Sequence, residues 1–159
     1  MKVRTQKLIM IMMLCGIGLF LSSCKETGSI GEYQSVAQLY DSCSGKCGEQ
    51  LACENQLIKV WGYLDEYNIF DSSQSDHETE RFLIAERLDA QGFGKGKVIE
   101  VYPPQGRNNA GLFDKLESAD NSSKILVTGI VKGYDAPTNL TCQRLISLEI
   151  QGEEDVNLE

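Results

Sequence analysis

Three cysteines, Cys43, Cys47 and Cys53, fall within eleven positions, and the next, Cys142, comes only near the end of the chain. Two more, Cys15 and Cys24, lie in the N-terminal stretch MKVRTQKLIMIMMLCGIGLFLSSC, where Lys2, Arg4 and Lys7 precede an apolar run from Leu8 to Phe20. That run is short for a membrane span and ends in small residues, the pattern of a secretory signal. An exported chain folds in an oxidising compartment, where an even number of cysteines is normally paired. Setting aside Cys15 and Cys24 leaves four, and each of the three possible pairings returns Cys142 to the N-terminal cluster. The element that closes the fold must therefore lie beside the segment that opens it. Cys43 and Cys47 are four residues apart at a helix end, a spacing that places Cα atoms ~6 Å apart, within reach of a bridge. Spacing favours that pair, with exchange of partners among the first three cysteines left open.

The residues Leu21-Ser22-Ser23-Cys24 resemble a bacterial lipobox, in which a leucine and two small residues precede the cysteine that becomes the lipidated first residue. The resemblance implies removal of residues 1–23, acylation of Cys24 and a domain held at a membrane by its acyl chains, each buried methylene adding ~0.8 kcal/mol. In diderm bacteria the following residue biases sorting, and Lys25 in place of an aspartate implies the outer membrane of the cell envelope.

Cleavage after residue 23 would leave 136 of the 159 residues, enough for one domain. Of the 15 basic residues three lie in the signal, so 12 face 23 acidic ones, a net charge of −11. Nucleic-acid binding draws its affinity from Lys and Arg on phosphates, so this balance argues against such a partner. The expected organisation is a signal peptide at 1–23, a lipidated tether at 24–32, a single domain at 33–151 and an acidic, low-structure tail at 152–159.

Within the domain the periodicity changes several times. Ser35 with Gln38 forms a capping-box pattern, and Val36, Leu39, Tyr40 and Cys43 share a helical stripe, which predicts a helix from about 36 to 43 ended by Gly45. LIKVWGYLDEY, residues 57–67, alternates as a strand, with Ile58, Val60, Gly62 and Leu64 on one face and Lys59, Trp61, Tyr63 and Asp65 on the other. RFLIAERL and KVIEVYPP give two more strands joined by the turn QGFGKG. Leu112, Phe113 and Leu116 then mark a second helix, with Asn108 or Asn109 as N-cap. KILVTGIVKGY, residues 124–134, and CQRLISLEI, residues 142–150, complete five strands.

This order, mostly β with short helices, resembles the OB-fold: a five-stranded barrel, here with an N-terminal helix and a helix between strands 3 and 4. Gly62 and Gly129, in mid-strand, suit the coiling of a small barrel. The resemblance covers about residues 56–151 and puts the first and fifth strands side by side. Cys53 would then meet Cys142, a long-loop staple worth ~4 kcal/mol on the chain-entropy model. Lipobox, short helix, CSGKC and OB-like strands together also look like small exported lipoproteins of unassigned role, a resemblance that implies no catalytic residue.

The Cys43/Cys47 spacing also resembles the C-x-x-x-C motif of exported copper-delivery proteins, and soft thiolates select copper(I) or zinc. The only histidine, His77, sits in a polar loop, and the C-x-x-C knuckles of a zinc site are missing. No metal or other cofactor is therefore expected. Redox catalysis is disfavoured because Cys43 falls at a helix C-terminus, which raises a thiol pKa. DSSQSDHE lacks the spacing of a calcium loop. Trp61, Tyr63, Phe93 and Tyr102 are candidates for an aromatic binding surface; Phe82 reads as core, and Trp61 and Tyr63 could instead pack under the first helix. The sequence thus points to a non-enzymatic, membrane-anchored binding or scaffolding module for a protein or glycan of the envelope, stapled by two disulfides. A copper or zinc carrier using free thiols at Cys43 and Cys47 is the alternative.

Overall fold

A computed structural model describes residues 32–71, 79–120, 123–137 and 141–159. The signal peptide, Cys24 and almost all of the tether lie outside these, as does His77.

The chain runs β1 (Gln34–Ser35), α1 (Val36–Ser42), β2 (Leu57–Phe70), β3 (Arg81–Leu88), β4 (Gly94–Tyr102), α2 (Ala110–Glu117), β5 (Lys124–Pro137), β6 (Cys142–Glu149), a 3₁₀ turn (Glu153–Asp155) and β7 (Val156–Leu158). The expected capping box opens α1: Ser35 Oγ accepts from Gln38 N at 3.2 Å, and Ser35 N donates to Gln38 Oε1 at 2.7 Å. These bonds satisfy two of the amides that a helix start leaves unpaired. At the other end Cys43 adopts φ −114°, ψ 55°, so the helix stops after Ser42, before it reaches Gly45.

Five strands close into a ring in the order β2-β3-β4-β6-β5-β2, every pairing antiparallel except β4 with β6. The alternation read from the sequence sends one face of each strand inward: Val60, Leu64, Phe82, Ile84, Ile99, Val101, Ile125, Val127, Val131, Ile146 and Leu148 are buried. Leu112, Phe113 and Leu116 of α2, and Val36 and Leu39 of α1, join that core. Gly62 is what lets α1 approach. A Cβ there would lie 2.9 Å from Val36 Cγ2 and 2.8 Å from Ala85 O. The helix therefore packs on the Gly62 face of β2, away from Trp61 and Tyr63, and does not cover those two rings.

Two expectations fail. The fifth ring strand, β6, lies between β4 and β5 and does not pair with β2. The acidic end is not a loose tail either. β7 pairs antiparallel with β5 (Ile125↔Leu158, Val127↔Val156), Val156 is fully buried, and Lys115 Nζ donates to Val156 O at 2.7 Å. β1 is likewise an added strand, parallel to β2 at Gln34↔Val60.

Candidate binding site

The four cysteines of the folded part form two disulfides, Cys43–Cys53 and Cys47–Cys142, with Cα separations of 5.2 and 6.1 Å. Both favoured pairs, Cys43–Cys47 and Cys53–Cys142, are thus replaced by the exchanged ones. The reason is local for the first. Because α1 ends at Ser42, the helical geometry that would have brought Cys47 back over Cys43 never forms. The second follows from topology: Cys142 opens β6 opposite Pro137 of β5, and the segment after α1 loops over that hairpin end. Gly48 N donates to Asp135 Oδ2 at 3.0 Å, and Arg144 bridges Asp135 at 3.0 Å and Glu54 at 3.4 Å. Cys47 is delivered to Cys142 by these contacts. Cys43 is buried and Cys53 partly so, whereas Cys47 is half-buried and Cys142 exposed. Asp135 has a carboxylate oxygen within 4.8 Å of both Cys47 and Cys142 sulfurs, but those sulfurs are bonded to each other. The thiol pair that the carrier reading requires is here divided between two bridges.

The four candidate aromatics separate into two groups. Trp61 and Tyr63 stand on the outer face of β2 in edge-to-face contact, centroids 6.1 Å apart, with Lys124 Nζ 5.1 Å from the Trp61 ring. Phe93 stacks on Tyr67 at 4.2 Å. Its turn is held against the same face of β2 by Asp65, which accepts from Gly94 N at 3.0 Å, Asn68 Nδ2 at 2.9 Å and Tyr67 N at 3.2 Å. Asp89 shapes that turn by accepting from Gln91 N and Phe93 N, both at 3.0 Å. Desolvation raises its pKa, but those two amides and the nearby Lys95 outweigh it and hold the carboxyl below its ordinary value.

Tyr102 lies across the ring, on β4, which with β6 makes up the two ring strands not paired to β2. Its hydroxyl donates to Glu100 Oε2 at 2.5 Å, and Arg81 Nε stands 3.7 Å from the other oxygen while its guanidinium covers Phe70. Tyr134 also feels the charge of Glu100. Burial, the hydrogen bond to Glu100 and its negative charge, opposed by Arg81, push the Tyr102 pKa up to about 12. Burial and the same carboxylate raise Tyr134 further still. Tyr40, from α1, reaches the seam where β4 and β6 separate: its hydroxyl donates to Val98 O at 2.8 Å and accepts from Ile146 N at 3.4 Å. Its pKa is raised mainly by burial.

Tyr102 also borders a cleft of about 310 Å³ lined by Pro103, Pro104, Gln105, Arg107, Glu149, Ile150 and Gln151. Past Pro104, Arg107 and Gln151 it continues into a hollow of about 220 Å³ at the start of α2. There Asn108 Oδ1 caps Ala110 N at 3.0 Å, while Asn109, the residue at the N-cap position, uses its amide on Pro104 O at 3.0 Å. Glu153 stands over Gly111, 2.8 Å from where a Cβ would be, so the C-terminal segment supplies the acidic group that α2 lacks in its own first turn. Arg107 has no ion-pair partner among the described residues. The sequence reading found Tyr102 but missed Arg107, Tyr134 and Gln151, which come together only through the β4–β6 pairing.

No protein-family model matches the chain, and no curated protein does. Among solved structures, an OBody bound to hen egg-white lysozyme overlaps 61% of this chain and 77% of its own at 15% identity, TM-score 0.40. A DUF3299 family protein from Pseudomonas aeruginosa overlaps 68% of this chain at 17% identity, TM-score 0.38, and this chain spans 64% of its length. A Plasmodium falciparum SSB in complex with ssDNA overlaps 64% of this chain and 90% of its own at 15% identity, TM-score 0.36. Likeness of that extent assigns neither a fold nor a ligand.

Proposed function

We propose that this chain is a non-enzymatic, lipid-anchored binding module of the bacterial cell envelope, built on an OB-like barrel, with its ligand seated in the Tyr102–Arg107–Gln151 cleft. The observation that carries the reading is the cleft itself, set at the end of the parallel β4–β6 pair. Five strands that close on themselves, with α2 between the third and fourth of them, fit the OB resemblance. The lipobox residues Leu21–Cys24 support acylation at Cys24, and Lys25 supports the outer membrane.

The cleft lining favours a glycan over a protein epitope. Planar amides (Gln105, Gln151), a guanidinium (Arg107) and a carboxylate (Glu149) surround one tyrosine ring and two prolines. Hydroxyl-rich ligands use such alternating donors, acceptors and flat apolar faces, whereas a protein hot spot wants a deep pocket for an aromatic or arginine anchor.

The test is an amide NMR titration of the acylated chain in detergent micelles with soluble cell-wall glycan fragments. Saturable shifts at Tyr102, Gln105, Arg107 and Gln151, abolished by Arg107→Ala, are expected. Shifts confined to other residues, or none at all, would remove the cleft as the site; capture of a protein through the cleft would replace the glycan.

A further inference from the structure

The outer face of β2 carries Leu57, Lys59, Trp61 and Tyr63 in alternation, and β5 sets a partner beside each: Ile130, Thr128, Leu126 and Lys124. The row is about 20 Å long at the usual strand rise. β1 on the far edge of β2 and β7 on the far edge of β5 widen it into a four-stranded platform outside the ring. Leu57 is 67% exposed, the most open large apolar side chain among those described. Lys124 lies over Trp61, and Lys59 over Tyr33, 5.5 Å from its ring centroid. Acidic groups also border the row: Glu32 pairs with Lys59 at 3.4 Å, and the Glu159 backbone is bonded to that of Lys124.

We propose that this platform lies on the surface of the membrane that holds the lipid anchor, a reading that rests on the acylation of Cys24 proposed above. Trp and Tyr rings settle at the depth of lipid headgroups, and lysines on the same surface extend their stems along it and reach anionic phosphates. The path of the chain says why the occupant is the bilayer. The residues from Lys25 to Glu32 number eight, at most about 29 Å of extended backbone. They enter the fold at Tyr33, which packs on Lys59, one outward-facing position from Trp61 along β2. The anchor thus delivers this face to the lipid before any other. A short tether holds the domain at a high effective concentration over the surface, so a face of modest affinity suffices. The glycan cleft, across the ring, is then turned away from that surface.

Trp61 is the chain's single tryptophan and so reports on its own environment. The acylated full chain would be reconstituted into vesicles of phosphatidylethanolamine and phosphatidylglycerol containing lipids brominated close to the headgroup. Expected are a blue shift and quenching of Trp61, both lost in the double variant K59E/K124E and reduced in L57D, while flotation with the vesicles and far-UV circular dichroism stay unchanged. L57D changes an exposed position, so it keeps the test alive should the double variant fold poorly. A floating chain without quenching, quenching indifferent to L57D, or a concentration-dependent blue shift without vesicles, which marks a second copy on the platform, would each overturn the docking. A chain that fails to float and shows no acyl mass at Cys24 would instead remove the lipid-anchor reading on which docking depends.

Discussion

The bridge that stabilises the fold more should also be the one reduced more easily. Cys43–Cys53 spans a sequence separation of 10 and Cys47–Cys142 one of 95. On the chain-entropy model, loops of those lengths stabilise by about 3 and about 4.7 kcal/mol. Cys47 lies inside the shorter loop, so the two contributions overlap and will not simply add. Replacing Cys47 and Cys142 together by alanine is expected to cost over 1 kcal/mol more in urea unfolding than replacing Cys43 and Cys53 together. Access singles out the same bridge, because Cys142 is exposed while Cys43 is only 2% exposed. Mild reductant followed by alkylation should label Cys47 and Cys142 first. The connectivity can be read directly, because Lys46 separates Cys43 from Cys47, and Glu49 separates Cys47 from Cys53. Cleavage after both leaves the Cys43 peptide joined to the Cys53 peptide, and the Cys47 peptide joined to that of Cys142. A Cys43–Cys47 linkage, or a smaller loss for the long bridge than for the short one, would refute the account.

Three further outcomes follow from single contacts. Gly62→Ala forces a Cβ to within 2.9 Å of Val36 Cγ2 on α1 and 2.8 Å of Ala85 O on β3, a backbone atom with little room to yield, and should destabilise by about 1–3 kcal/mol in urea melts; an unchanged midpoint would mean that α1 and β3 do not need that close approach to β2. Tyr40→Phe leaves Val98 O and Ile146 N without the hydroxyl that joins them and should cost about 1–3 kcal/mol, with faster amide exchange at Ile146 as the local sign. Tyrosine ionisation, followed by ultraviolet absorbance, should show Tyr102 and Tyr134 titrating last. Their folded pKa values are raised above the ordinary 10.0, so the stability linked to them is complete below pH 10 and declines as pH rises through about 12; Glu100→Gln, which removes the raising charge, should bring both down.

The individual elements were legible because each rests on local chemistry. Alternation in residues 57–67 and 124–134 marked β2 and β5, and the Ser35/Gln38 pair marked the start of α1. What depended on distant partners was not legible. Nothing near Cys142 says that β6 inserts between β4 and β5, so the expected contact of first and fifth strands, and the Cys53–Cys142 bridge drawn from it, were misplaced. The stop at Ser42 comes where Cys43 leaves helical dihedrals, two residues before Gly45. Val156 and Leu158 do alternate with Asn157, but three residues among acids carry too short a period to announce a strand. The cleft draws Tyr102, Arg107 and Gln151 from separate segments, none distinctive alone.

The added strands give those misses a common logic. A five-stranded ring needs neither β1 nor β7, yet both ends of the described chain are spent extending the β2–β5 side outward. Burial alone accounts for part of this: Val156 completes the core next to Val127, and Ser35 caps α1. It does not account for exposed Leu57 and half-buried Trp61 and Tyr63 forming a row that no element among the described residues covers, on the edge where the N-terminal segment enters. In an acidic domain, apolar and aromatic side chains flanked by two lysines are costly to leave in water and are retained where something covers them. The bilayer contact proposed above would meet that requirement without a second protein, and would leave the Tyr102 cleft free for the ligand proposed for it.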